Sequence, residues 1–223
     1  LYLNGKIVGA EVLKPGFTDP FKTKLSFTYD ITDAFQCKAG AENVLAAQVT
    51  PGWWGDKIVT PGGNKGTYGT KCAFRGVLEL TYADGTTKLY GTDLENWKAG
   101  IAGPVKHAAI FDGEEYDARE KMGYDCVETL STPEQNKEFR GKIFPTNGAE
   151  VYMRHDLTLS PVKAYIWNGV EGEKENEFGK VIITKEFNPG EPMTLKEGET
   201  LVVDFGQNCA AVPCFQFKAN EGT

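Results

Sequence analysis

Apolar residues in this chain come in short runs with a period near two, set apart by Gly, Pro, Asn and Asp. In VLELTY, Val77, Leu78, Leu80 and Tyr82 fall mainly on alternate positions, which predicts a strand with one face covered and the other in water. KLSFTYDI and NVLAAQV read as further strands, rich in aromatic and β-branched residues. Asn4-Gly5 lies between LYL and KIV, and Asp84-Gly85 between VLELTYA and TTKLY. Each joins a residue that tolerates positive φ to a glycine, the signature of a two-residue hairpin turn. No amphipathic run of helical length competes, so the pattern predicts an all-β chain built as a β-sandwich.

The pattern breaks near residue 130. STPEQNKEFRGK is polar and reads as a linker over 131–150, after which strands resume as VKAYIW, KVIITKEF, TLVVDFG and CFQFKA, interrupted by the acidic EGEKENE at 171–177. Two β-rich units are therefore expected, residues 1–130 and 151–223, the second too short to close a large sandwich alone. The chain opens on a strand without an initiator Met and is read as a piece of a longer protein.

Composition removes several function classes. The 223 residues carry a net charge of −7, the wrong sign for a surface that tracks phosphates, so nucleic acid is not an expected partner. No apolar run approaches the roughly 20 residues of a membrane span. Five cysteines without a Cys-x-x-Cys spacing read as ordinary buried thiols, with room for one bridge, rather than as a zinc site. Only His107 and His155 could serve a serine or cysteine nucleophile as base, and no Gly-x-Ser-x-Gly elbow is present.

Two stretches carry candidate chemistry. FDGEEYDAR, residues 111–119, packs four carboxylates, two aromatics and an arginine around a glycine, a composition that suits an exposed loop. It is no EF-hand, because counting from Asp112 the sixth position is Asp117 where glycine is required. Trp53 and Trp54 sit between Gly52 and Gly55, ahead of the glycine-rich GGNKGTYG, which lacks the order of a phosphate-binding loop. A sugar presents C–H faces that pack on an indole, whose N–H can reach a hydroxyl. Read as adjacent strand residues, one of the pair should point inward. Trp97 and Trp167 read as core.

The succession LYLNGKIVG, VLKPGFTD, TYDITDAF, ENVLAAQV, PGWWG, LTYADGTT, NWKA, GP, FDGEEYDAR and VVDFGQN resembles the bacterial α-L-rhamnosidases of the inverting, multidomain type. The resemblance covers most of 1–130 and returns at 201–208. It implies a galactose-binding-like jelly roll over 1–130, followed by the start of a second β-sandwich. It also implies a parent glycoside hydrolase, periplasmic or secreted, whose catalytic carboxylates lie in a downstream (α/α)6 barrel, so that no catalytic residue is expected here. Some N-terminal domains of that family resemble modules that bind rhamnose through a calcium ion. Carried over, this makes Asp19 the metal ligand, with Ca2+ as the implied cofactor, although Pro20 stands where such modules have an asparagine. The candidate carbohydrate-binding residues are thus Asp19, Trp53, Trp54 and Glu114, and the implied partners are a rhamnose-containing carbohydrate and the downstream barrel. The competing reading is a scaffold that buttresses the barrel, with Arg119 pairing internally to a neighbouring carboxylate.

Overall fold

The computed structural model describes residues 1–59, 63–101, 103–121, 141–148 and 150–219. Cys126 and most of the expected linker lie outside them. The described chain is all-β apart from short helical turns, and it divides into two compact units, Leu1–Met153 and Arg154–Thr223.

The first unit contains strands β1 (Tyr2–Leu3), β2 (Lys6–Ile7), β3 (Glu11–Val12), β4 (Thr23–Ser26), β5 (Leu45–Ala46), β6 (Val77–Thr81), β7 (Thr87–Gly91), β8 (Val105–Ala109), β9 (Gly113–Tyr116), β10 (Lys142–Pro145) and β11 (Val151–Tyr152). β1 is flanked by antiparallel β2 and β5, which leaves Leu3 only 1% exposed. Asn4 and Gly5 turn the chain between β1 and β2 with φ of 51° and 78°, the doubly left-handed geometry their sequence calls for. The Asn4 amide also binds across the unit, its Oδ1 accepting from the Val44 N–H at 2.9 Å and its Nδ2 donating to Asn43 Oδ1 at 2.9 Å. One turn side chain thereby fixes the register of β5 against β1.

β6 and β7 form the hairpin expected around Asp84-Gly85. Asp84 Oδ1 accepts from both the N–H and the hydroxyl of Thr86, and Gly85 takes φ of 84°. Along β6, Leu78 and Leu80 are half-buried while Val77, Glu79 and Thr81 are exposed, so the alternation holds with only partial cover. KLSFTYDI and NVLAAQV enter shorter strands than their patterns suggest, with three and two of their residues paired. Residues 142–145, within the stretch read as a linker, pair in parallel with β4, and β11 pairs with β3. Gly141 permits that approach. A Cβ there would lie 2.7 Å from the Lys22 carbonyl carbon, at a φ of 95° that L side chains rarely adopt.

In the second unit β12 (Lys163–Glu171) is the centre of an antiparallel sheet, between β13 (Lys180–Phe187) and β14 (Thr200–Asp204). Ala164 and Ile166 are its buried residues. The register slips between Trp167 and Val170, where Gly169 adopts φ of 93°, the geometry of a bulge. EGEKENE forms the β12–β13 connection, closed by a Lys174–Glu177 bridge and ion pair.

Three expectations are corrected. CFQFKA forms no strand: residues 214–219 pair with no neighbour among the described residues, and Phe215 and Phe217 are 73% and 77% exposed, because alternation without a partner strand buries nothing. Trp97 is half-buried against Phe74 and Trp167 is 41% exposed, so neither is a core residue. Cys37, Cys72, Cys209 and Cys214 are free and exposed, because all four sit in connections rather than on the covered face of a strand.

Candidate functional site

Pro51 starts a single helical turn over Gly52–Gly55, closed by the Gly55 N–H donating to the Pro51 carbonyl at 3.0 Å. The strand expected at Trp53-Trp54 is therefore replaced by a turn in which neighbouring side chains diverge by about 100° rather than facing opposite ways. Both indoles end half-buried, and neither is buried outright.

Their surroundings are aromatic. Trp53 meets Phe17 and Phe111 edge-on, with centroids 5.6 and 5.9 Å away, and Trp54 lies 6.3 Å from Phe21. Tyr68, from the glycine-rich stretch, lies 6.2 Å from Phe17 and 6.0 Å from Phe21. The Lys24 ammonium stands 4.4 Å over the Trp54 ring, within cation–π range. Burial lowers the Lys24 pKa, against the pull of Asp19.

The glycine-rich segment is fastened rather than free. Trp54 Nε1 donates to the Lys71 carbonyl at 3.0 Å, and the Gly66 N–H donates to the Gly55 carbonyl at 3.0 Å. A Cβ on Gly69 would lie 2.2 Å from the Trp54 ring. Gly69→Ala is accordingly expected to push Trp54 out of place and weaken its near-ultraviolet circular dichroism, with the β-sheet signal unchanged.

Directly after the Trp turn comes Asp56, 2% exposed and the one buried charged side chain among the described residues. It accepts from the Lys57 N–H at 2.8 Å, while Lys65 Nζ is 3.4 Å from Oδ1 and His107 Nε2 3.6 Å from Oδ2. Lys65 also reaches Asp112 at 3.4 Å, and Lys57 Nζ pairs with Asp112 at 2.8 Å. A buried carboxylate is tolerable only with such compensation. The Lys57 ammonium, opposed by partial desolvation and aided by Lys65, holds the Asp112 carboxyl below its usual range. A depressed carboxyl pKa stabilises the fold above the ordinary value of about 4, and that contribution is lost as pH falls through the folded value. The thermal-midpoint difference between the parent chain and Asp112→Asn is thus expected at pH 7 and to shrink at about pH 3.

FDGEEYDAR supplies the turn and the second strand of the β8–β9 hairpin rather than a loop, since residues 113–116 pair with 105–109 while the side chains of β9 stay exposed. Its residues separate in role. Phe111 joins the aromatic cluster and Asp112 the ion pairs. Asp117 takes a two-point bond from Arg119, Nε to Oδ1 at 2.9 Å and Nη2 to Oδ2 at 2.7 Å, which holds its carboxyl far below the usual range. Glu114 lines a cavity of about 400 Å³ together with Tyr2, Glu11, Lys14, Gln48 and Thr50; neither indole nor Asp19 reaches it.

Asp19 is exposed and engaged. Its Oδ1 accepts from the Phe21 N–H at 3.1 Å and its Oδ2 pairs with Lys22 at 3.0 Å; Lys22 first, then that amide, lowers its pKa. Calcium takes six to eight oxygens. Here one carboxylate is neutralised by an ammonium beside a proline, and no group of three His, Cys, Asp or Glu that could hold a metal occurs among the described residues. These residues do not fit the ion. What the sequence missed is the company of the Trp pair: Phe17, Phe21, Tyr68 and Phe111. The available signal was aromatics placed in Gly- and Pro-rich connections, where no strand claims them for a core.

Comparison with known proteins gives one consistent family. A family model described as the alpha-L-rhamnosidase N-terminal domain matches residues 1–140. An alpha-L-rhamnosidase of Alteromonas sp. (strain LOR) is 27% identical over 228 residues, covering 100% of this chain and 21% of that protein. One from Streptomyces avermitilis is 40% identical over 120 residues, 54% of this chain and 11% of that protein. The chain thus spans between about a tenth and about a fifth of the length of these relatives. The crystal structure of Streptomyces avermitilis alpha-L-rhamnosidase complexed with L-rhamnose superposes with a TM-score of 0.63 at 23% identity, over 91% of this chain and 23% of that one, a likeness of fold.

Proposed function

Because the chain belongs to the alpha-L-rhamnosidase N-terminal domain family, we propose that it is the non-catalytic, carbohydrate-binding region of a longer alpha-L-rhamnosidase, a hydrolase that releases terminal α-L-rhamnose. Its jelly-roll domain serves a catalytic barrel further along the same polypeptide. The observation that carries this reading is the half-buried aromatic cluster around Trp53 and Trp54, rimmed by Lys24 and Asp19. Aromatic faces accept the C–H face of a sugar ring, and charged groups at the rim accept from or donate to its hydroxyls. Binding by stacking needs no metal, which agrees with the poor fit of Asp19 to calcium.

A scaffold role is the second reading. It is favoured by the Trp54 N–H being spent on Lys71 and the Asp19 carboxylate on Lys22. Titration with L-rhamnose, followed by tryptophan fluorescence, separates the two. A saturable change with a dissociation constant on the order of 0.1–10 mM, the same before and after chelation of calcium, is expected for a small polar ligand on an aromatic surface. A flat response up to tens of millimolar, about 50 mM, would leave the scaffold reading standing.

A further inference from the structure

GNKGTYGT, residues 63–70, has one ionised side chain, Lys65, and its three glycines give the backbone more freedom than side-chain-bearing residues would. That single charge is used twice. Lys65 Nζ stands 3.4 Å from Asp56 Oδ1 and 3.4 Å from Asp112 Oδ2. Each carboxylate is also held by Lys57, Asp56 through the backbone N–H at 2.8 Å and Asp112 through the ammonium at 2.8 Å, so Lys65 joins two groups that are already in place.

The three segments that meet at Lys65 are the ones that carry the aromatic rings. Asp56 closes the Trp turn, its N–H donating to the Gly52 carbonyl at 3.2 Å. Asp112 directly follows Phe111, whose ring meets Trp53 at 5.9 Å. Lys65 lies three residues before Tyr68, whose ring is 6.2 Å from Phe17, and Phe17 in turn meets Trp53 at 5.6 Å. An aromatic platform holds a small ligand well only if its rings are already in position, because ordering them at the moment of binding costs affinity.

We propose that Lys65 is a positioning residue of the aromatic cluster: through Asp56 and Asp112 it clasps the glycine-rich segment to the Trp turn and to the β8–β9 corner, and so sets the affinity of the cluster for a neutral sugar. This deepens the carbohydrate-binding reading and rests on it for the effect on affinity. The clasp has a consequence that stacking alone lacks. The Lys65 side chain is 52% exposed and that of Asp112 31%, so dissolved ions screen their attraction. Affinity for an uncharged ligand then falls with salt, through the protein rather than through the ligand.

Calorimetric titration with L-rhamnose at about 0.02 M and about 1 M sodium chloride tests this on the parent 223-residue chain, Lys65→Gln and Lys65→Arg, alongside amide hydrogen exchange without sugar. The parent is expected to lose about threefold in affinity at high salt. Lys65→Gln is expected to bind about threefold more weakly at low salt and to ignore salt, and Lys65→Arg to restore both behaviours. The Gly66 N–H, which donates to the Gly55 carbonyl at 3.0 Å, is expected to exchange about threefold faster in Lys65→Gln and in the parent at high salt. The Gly85 N–H, which donates to the Tyr82 carbonyl at 2.9 Å in the β6–β7 turn, serves as the control and is expected to keep its rate. Salt-independent affinity in the parent, Lys65→Gln binding as the parent does, or a Gly66 N–H that the substitution leaves alone would overturn the proposal. Equal acceleration at Gly85 would overturn it too, by showing that the whole unit had loosened. A parent chain that binds no L-rhamnose at either salt sinks the carbohydrate reading instead, and acceleration confined to Gly66 would still identify Lys65 as the clasp.

Discussion

Leu3→Ala is expected to lower the stability of the first unit by about 3 kcal/mol, the middle of the range for emptying a fully buried leucine site. Leu3 stands at the centre of a three-stranded sheet and is 1% exposed, while most large apolar residues of the unit remain partly in water. With so few buried side chains sharing the load, there is little surrounding mass to collapse into the hole. For a unit of this size the loss corresponds to a fall in thermal midpoint of roughly 6–12 °C. Leu89→Ala, at a site already 62% exposed, serves as the control and is expected to shift the midpoint by less than about 2 °C. Equal shifts in both variants would mean that Leu3 is not the centre of the unit.

The second large effect is an absence of turnover. The 223-residue chain is expected to release no rhamnose from an aryl α-L-rhamnoside above the uncatalysed rate, and Glu114→Gln to change nothing. An inverting glycosidase needs two carboxyls roughly 6.5–9.5 Å apart across the scissile bond, one of them kept protonated by its surroundings. The acids of the 111–119 hairpin are not so arranged. Asp112 is held ionised by Lys57 and Lys65, and Asp117 by Arg119. Glu114 and Glu115 are consecutive on one exposed strand, so they point to opposite faces. Neither aspartate is set up as a general acid at neutral pH, and the two glutamates do not face each other across one bond. Turnover that disappeared in Glu114→Gln would place a catalytic group in this hairpin after all.

The parts of the fold that could be read from the sequence are those fixed locally. Asn4-Gly5 and Asp84-Gly85 pair a residue that tolerates positive φ with glycine, and each gives its turn; KVIITKEF is a strand along its whole length because the strand it pairs with, β12, directly precedes it in the sequence. Reading fails where the outcome depends on a distant partner. CFQFKA has the alternation of a strand and, among the described residues, no strand beside it, whereas residues 142–145 pair with β4 across more than a hundred residues. Trp53-Trp54 looked like two strand positions, but Pro51 and the flanking glycines favour a turn, and the local rule won. The same distinction governs the sites. The Trp pair, Asp19 and Glu114 were visible as residue types, but the cluster that gathers Phe17, Phe21, Tyr68 and Phe111 around the indoles is a product of long-range packing, as is the separation of Glu114 from it.

The most direct test of carbohydrate binding at the aromatic cluster follows the four indole N–H resonances of a ¹⁵N-labelled chain as L-rhamnose is added. Trp53 is expected to shift saturably with the sugar, and Trp54 less, because its N–H already donates to the Lys71 carbonyl. Trp97 and Trp167, outside the cluster, are expected to stay where they are. A Trp53 resonance that does not move, or four resonances that drift together without saturating, would contradict the assignment of a sugar site to this cluster.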